Sequence, residues 1–92
     1  MQFTWNETKR RTNRAEHGLD FADAHLVFAG AVALFEDTCG DYGEQRMFAL
    51  GILDALVVLI VHLEFDDTIR IILMRKGDKN ETRLYYQNLG AV

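Results

Sequence analysis

The chain has 92 residues, 49% of them hydrophobic and 26% charged, with one cysteine and no proline. That length and composition fit a single domain over residues 1–92 with one modest core. They exclude an internal disulfide, and no apolar run reaches the roughly 18 residues that a membrane helix needs.

Cys39 as the lone cysteine suits a reducing cytoplasm, and the polar, charged amino terminus does not read as a secretory leader. The net charge of −4 is unevenly spread. Residues 1–15 set Lys9, Arg10, Arg11 and Arg14 against Glu7, while residues 16–67 carry eleven acids and only Arg46. Residues 68–92 carry five basic side chains against Asp78 and Glu81. If the two basic ends meet in the fold, they make one positive patch suited to phosphates. Otherwise they are solvated helix faces.

Residues 2–5 read as a short strand. Asn6 is a candidate N-cap for a helix over 7–17, which Gly18 ends in the left-handed conformation. Trp5, Lys9, Asn13 and His17 recur every four positions and share one side of that helix. That side is too polar for an ordinary core stripe. Asp20 is a candidate N-cap for a second helix over 21–29, burying Phe21, Ala24, Val27 and Phe28. A short strand over 32–36 leads into a polar loop over 37–43, where Cys39 is a passive thiol. Strands follow at 46–53, 56–64 and 69–75, and a short amphipathic helix at 80–89 closes the domain.

Alternation in the last two strands sets their facing. Val57, Leu59, Val61 and Leu63 share one side; Val58, Ile60, His62 and Glu64 share the other. Matching the apolar sides of the two strands asks for an odd-length loop with a bulge, which sets Arg70 near Glu64 and His62. A two-residue Asp66-Asp67 turn would instead set Arg70 beside Val61 and Leu63. In a regular strand Arg70 and Arg75 face opposite ways. Either a bulge follows Ile72, or Arg75 lies past the strand end, or only one of them is catalytic. The sheet face that carries Val58, Ile60, Ile72 and Met74 is apolar at that end and needs a cover, from the last helix or from a partner.

The run Phe3, Trp5-Asn6, Lys9, Asn13, His17-Gly18, Phe21, Ala24, Phe28 resembles the opening of the BrnT family of bacterial type II toxins. The resemblance continues through Tyr42-Gly43-Glu44, Arg46, Gly51, Ile69-Arg70-Ile71-Ile72, Arg75-Lys76, Glu81 and Tyr85, with order and spacing kept. It implies an α+β, RelE-like fold: two amino-terminal helices on a curved, mostly antiparallel sheet, with a short carboxy-terminal helix. It also implies a ribonuclease that inhibits translation and is neutralised by a ribbon–helix–helix antitoxin, which also offers a route to an oligomer. The acidic middle speaks against direct DNA contact. One departure is that Leu73-Met74 precede Arg75-Lys76, where the family has a small, partly hydroxylic pair. This favours the competing class, a non-catalytic module that keeps only the antitoxin surface.

Cleaving RNA without a metal needs a base at the ribose 2′-hydroxyl, cations on the phosphate and an acid for the leaving oxygen. Arg46, Arg70, Arg75 and Lys76 are the cations near the strands, and arginine is the better phosphate clamp. The resemblance favours Arg70 and Arg75; the alternative for Arg70 is a structural pair with Glu64. His17 and His62 are the acid–base candidates, since imidazole titrates near neutrality, with Glu64 beside them. His17 reads equally as a helix-terminal cap, and His25 as a surface residue. Lys9, Arg46, Lys76 and Tyr85 are RNA-binding candidates, Tyr85 or Tyr86 by stacking on a base. Trp5 reads as core. No spacing suits a metal site, and no cofactor is expected.

Overall fold

Asn6 and Gly18 delimit the first helix in the computed structural model, which describes residues 1–37 and 45–90. Helix α1 (Glu7–His17) begins where the Asn6 side chain accepts the Lys9 N–H at 3.0 Å. It ends at Gly18, whose φ of 72° suits a residue without a Cβ. Strand β1 (Gln2–Thr4) precedes it. The expected second helix is shorter: Phe21–Asp23 form a 3-10 turn capped by Asp20, and α2 (Ala24–Phe28) follows directly. Strands β2 (Ala33–Asp37), β3 (Arg46–Leu53), β4 (Leu56–Phe65) and β5 (Thr68–Lys76) come next, and α3 (Lys79–Gly90) closes the described chain. Cys39 and Tyr42-Gly43-Glu44 lie outside the described residues. None of these helices is long and apolar enough to cross a membrane.

The five strands form one sheet in the order β1-β5-β4-β3-β2, antiparallel except for the parallel pair β1 and β5. The basic amino-terminal and carboxy-terminal segments therefore do meet, along β5. The sheet has two cores. On its first face Phe21, Ala24 and Val27 pack on Ala49, Val58, Ile60, Ile69, Ile71 and Met74. Gly51 makes room here, since a Cβ at that position would lie 2.5 Å from Val27 Cγ1. The face of Val58, Ile60 and Met74, expected to take its cover from the last helix or a partner, is covered by residues 21–28 instead, and α3 covers only part of the opposite, second face. Tyr85 packs there with Ala33, Leu50, Val57 and Leu59, and its hydroxyl donates to the Ala31 carbonyl at 2.9 Å.

The β4–β5 hairpin corrects the expected loop. Phe65 pairs with Thr68, so Asp66-Asp67 form a two-residue turn, with Asp66 at a φ of 53°. Leu63 then pairs with Arg70, and Arg70 does not lie on the side of Glu64 and His62. The apolar sides are brought back into match further on. The register shifts between Val61 and His62, so that His62 pairs with Ile71 and Val61 with Leu73, leaving Ile72 as the extra residue. A short turn costs the burial of one arginine stem beside Leu63, which a long side chain tolerates by keeping its head in water. The bulge repairs the remainder.

Candidate nucleic-acid interface

Because the bulge changes parity, Arg70 and Arg75 stand on the same sheet face, opposite Leu63 and Leu59 of β4. Four strand residues separate those partners, so the two arginines are roughly 13 Å apart along the sheet. Leu73, opposite Val61, lies between them on the same face. Arg46 opens β3 opposite Asp37 and belongs to this face too, by alternation with Phe48, the partner of Val61. Two strand spacings, about 10 Å, separate the β3 and β5 strands that carry Arg46 and Arg70. The uncovered part of the second face is thus an apolar floor of Phe48, Val61 and Leu73 among three arginines. Thr4, the β1 partner of Arg70, has a buried hydroxyl without a hydrogen bond among the described residues.

The arginines differ in what holds them. Arg70 is partly buried, and its guanidinium has no hydrogen-bond or ion-pair partner among the described residues. Arg75 is forked onto Glu81, with Nη1 and Nη2 each 2.8 Å from a carboxylate oxygen. Glu81 also accepts the Asp78 N–H at 2.9 Å while Asp78 accepts the Glu81 N–H at 2.8 Å. This reciprocal capping box starts α3. The Arg75 hydrogen bonds hold the Glu81 carboxyl below its usual range, and Glu81 in turn raises Arg75. The D-x-x-E spacing at 78–81 was a readable signal for this contact.

Helix α1 forms the side wall. β1 ends beside Arg70, which leaves the later part of β5 without a strand neighbour, and Asn13 takes that place. Its Nδ2 donates to the Met74 carbonyl (2.9 Å) and the Leu19 carbonyl (3.0 Å), and its Oδ1 accepts the Met74 N–H at 3.1 Å. One side chain thereby mimics a strand residue and closes the sheet edge. Next to it, Lys9, Thr12, Glu16 and His17 line a groove of about 210 Å³ with Ile72 and Leu73. The four-residue ladder therefore divides. Trp5 packs against the first core, Asn13 is structural, and Lys9 and His17 face the groove. Of the other α1 cations, Arg10 is tied to Asp20 and Glu7, and Arg11 and Arg14 lie near the same acids.

Four expected site residues do not join this arrangement. Tyr85 is 2% exposed in the second core and offers no ring to a base, whereas its neighbour Tyr86 is exposed. Lys76 pairs with Val58 and so belongs to the first face, opposite Arg75. Glu64 pairs with Ile69 on that same face, away from Arg70. His62 is 0% exposed, its ring 5.2 Å from Phe28 in a T-shaped contact, and reaches no substrate. Its Nδ1 meets the Ile60 carbonyl at 3.3 Å, so that nitrogen carries the proton. Nε2 has no hydrogen bond among the described residues, the Glu64 carboxylate standing 3.7 Å away.

Burial lowers the His62 pKa, against the opposing pull of the Ile60 carbonyl and Glu64. A lowered folded-state value means that the unfolded chain takes up a proton first as pH falls. The stabilisation is complete above the ordinary histidine range near 6.5 and is lost progressively below it. Urea midpoints measured from pH 7.5 to 5 should fall, by at most about 1.4 kcal/mol per pH unit from this one site. His62→Gln should flatten that slope; an unchanged slope would remove His62 as its source.

An α+β domain whose sheet exposes arginines around an apolar floor, with a lysine and a histidine on an adjoining helix, has the makings of a phosphate-binding site. The chain belongs to the family of BrnT ribonuclease toxins of type II toxin–antitoxin systems, whose family model matches residues 5–81. Among solved structures it is similar to the Brucella abortus ribonuclease toxin BrnT. The two share 29% identity and a TM-score of 0.70, over 86% of this chain and 99% of the other. No curated protein sequence matches it.

Proposed function

We propose that this toxin cleaves RNA without a metal, on the open part of the second sheet face, in the manner of RelE-like ribonucleases. Arg70 and Arg75 contact the phosphate backbone, Arg46 and Lys9 extend the track, and His17 is the acid–base group at the groove wall. In this chemistry the ribose 2′-oxygen attacks the adjacent phosphorus, its proton passing to a base. Negative charge builds on the phosphoryl oxygens, and the bond to the 5′-oxygen breaks as that oxygen takes a proton. Guanidinium forks supply what the middle of that reaction needs, because each donates two parallel bonds to phosphoryl oxygens. The observation that carries the reading is the shared face of Arg70 and Arg75, with the Arg70 head unpaired among the described residues. The antitoxin is of the ribbon–helix–helix type and cytoplasmic with its toxin; it carries the DNA contacts and any higher assembly.

Expression of the chain alone should arrest growth and degrade RNA, and purified toxin should cleave RNA in the presence of EDTA. A chain that does neither is a binding module that retains only its partner surface. Activity lost to EDTA and restored by a divalent cation would overturn the metal-free mechanism alone.

A further inference from the structure

A carboxylate forked onto a phosphate-binding arginine is, at first sight, a poor arrangement, because it neutralises the cation. Exposed ion pairs also contribute little to stability. The pair here is more tightly built than that. Arg75 and Glu81 side chains are 32% and 21% exposed, and the Glu81 carboxylate receives three donors: both Arg75 terminal nitrogens and the Asp78 N–H. The corner joining them is rigid. The Gly77 N–H donates to the Val57 carbonyl at 2.8 Å, and a Cβ on Gly77 would lie only 3.1 Å from that oxygen.

A guanidinium has five N–H donors in one plane. Arg75 spends two from Nη1, on Glu81 and on the Lys76 carbonyl at 3.2 Å, and one from Nη2, on Glu81. What remains is the Nε–H and the second Nη2–H, with no partner among the described residues. These two protons lie parallel on one edge of the plane, the pair that meets two phosphoryl oxygens side-on. We propose that Glu81 is a positioning residue: it grips the end of the Arg75 guanidinium and thereby fixes its Nε–Nη2 edge as the phosphate-facing fork. Resting on the ribonuclease reading above, this assigns a role in cleavage to the first turn of α3. The turn that caps the helix also aims the arginine.

Cleavage of a short RNA by purified wild type, Glu81→Gln, Arg75→Ala and the double variant tests this, with melting temperatures read alongside. The glutamine keeps an oxygen for the Asp78 N–H, but its amide opposes the second guanidinium nitrogen. Glu81→Asp replaces it in the same comparison if the amide variant does not fold. Expected is a kcat loss of about tenfold or more for Glu81→Gln, since small misplacements of a catalytic contact are costly. KM should change less. In the Arg75→Ala background the same substitution should cost no further activity. The inference falls if Glu81→Gln cleaves like wild type, or if its loss is as large without Arg75 as with it, which is the signature of a structural role. It also falls, with the ribonuclease reading left standing on Arg70, if Arg75→Ala is itself fully active. Wild type that cleaves no RNA overturns both.

Discussion

Arg70→Ala should lower RNA cleavage about a hundred- to thousandfold, the usual cost of removing one preorganised transition-state donor. Its melting temperature should barely move. The reason for separating the two effects is structural: the Arg70 head has no acid partner among the described residues, so its removal strands no charge. Only the contact of its stem with the neighbourhood of Leu63 is lost. Arg75→Ala should behave differently, losing activity and stability together, because it leaves Glu81 without the guanidinium that satisfies two of its oxygens. Arg70→Lys keeps the charge but not the planar fork, and should recover only part of the loss. Single-turnover cleavage and urea midpoints on the same preparations measure both quantities. An Arg70→Ala protein that cleaves at the wild-type rate would remove this residue from the site.

Asn13→Ala should be the costliest change to stability on α1. Asn13 is 6% exposed and makes three hydrogen bonds, two of them to the backbone of Met74. Truncation leaves the Met74 N–H and carbonyl at a sheet edge with no protein partner. A net loss of about 1 kcal/mol per bond, plus the cost of unsatisfied buried groups, gives on the order of 3 kcal/mol. For a domain of this size, that lowers the melting temperature by roughly 12–24 °C. Asn13→Asp should not rescue it: the carboxylate still accepts the Met74 N–H but has no donor for either carbonyl. Thermal unfolding of the three proteins decides the matter, and a shift of a degree or two for alanine would mean that water replaces the side chain at no cost.

Asn13 also shows what the sequence disclosed and what it concealed. The caps at Asn6, Gly18 and Asp20 were legible because each rests on a local rule about one residue and its next turn. The strand limits of β3 were legible for the same reason, between polar segments. Asn13, however, looked like one rung of a functional ladder, since its true partner, Met74, is 61 positions away and no periodicity links them. The hairpin register was misjudged because two devices meet the same need. An odd loop and a two-residue turn followed by a bulge both restore apolar facing, and they differ in where Arg70 ends up. His62 and Glu64 part from Arg70 with that register, and for Lys76 and Tyr85 residue type and motif alone do not give the side of the sheet on which each falls. The Arg75–Glu81 contact follows from the capping box at 78–81, whose D-x-x-E spacing is a local signal.

The parallel pairing of β1 with β5 has a consequence for how the toxin comes into being. The first strand and the last are neighbours, so β1 has no strand to pair with until β5 has been made. Closing so long a loop is a late and slow event in folding. A chain stalled before residue 68 carries neither Arg70 nor Arg75, and cannot seat Asn13. The proposed site is therefore the last part of the domain to be completed as the chain is made.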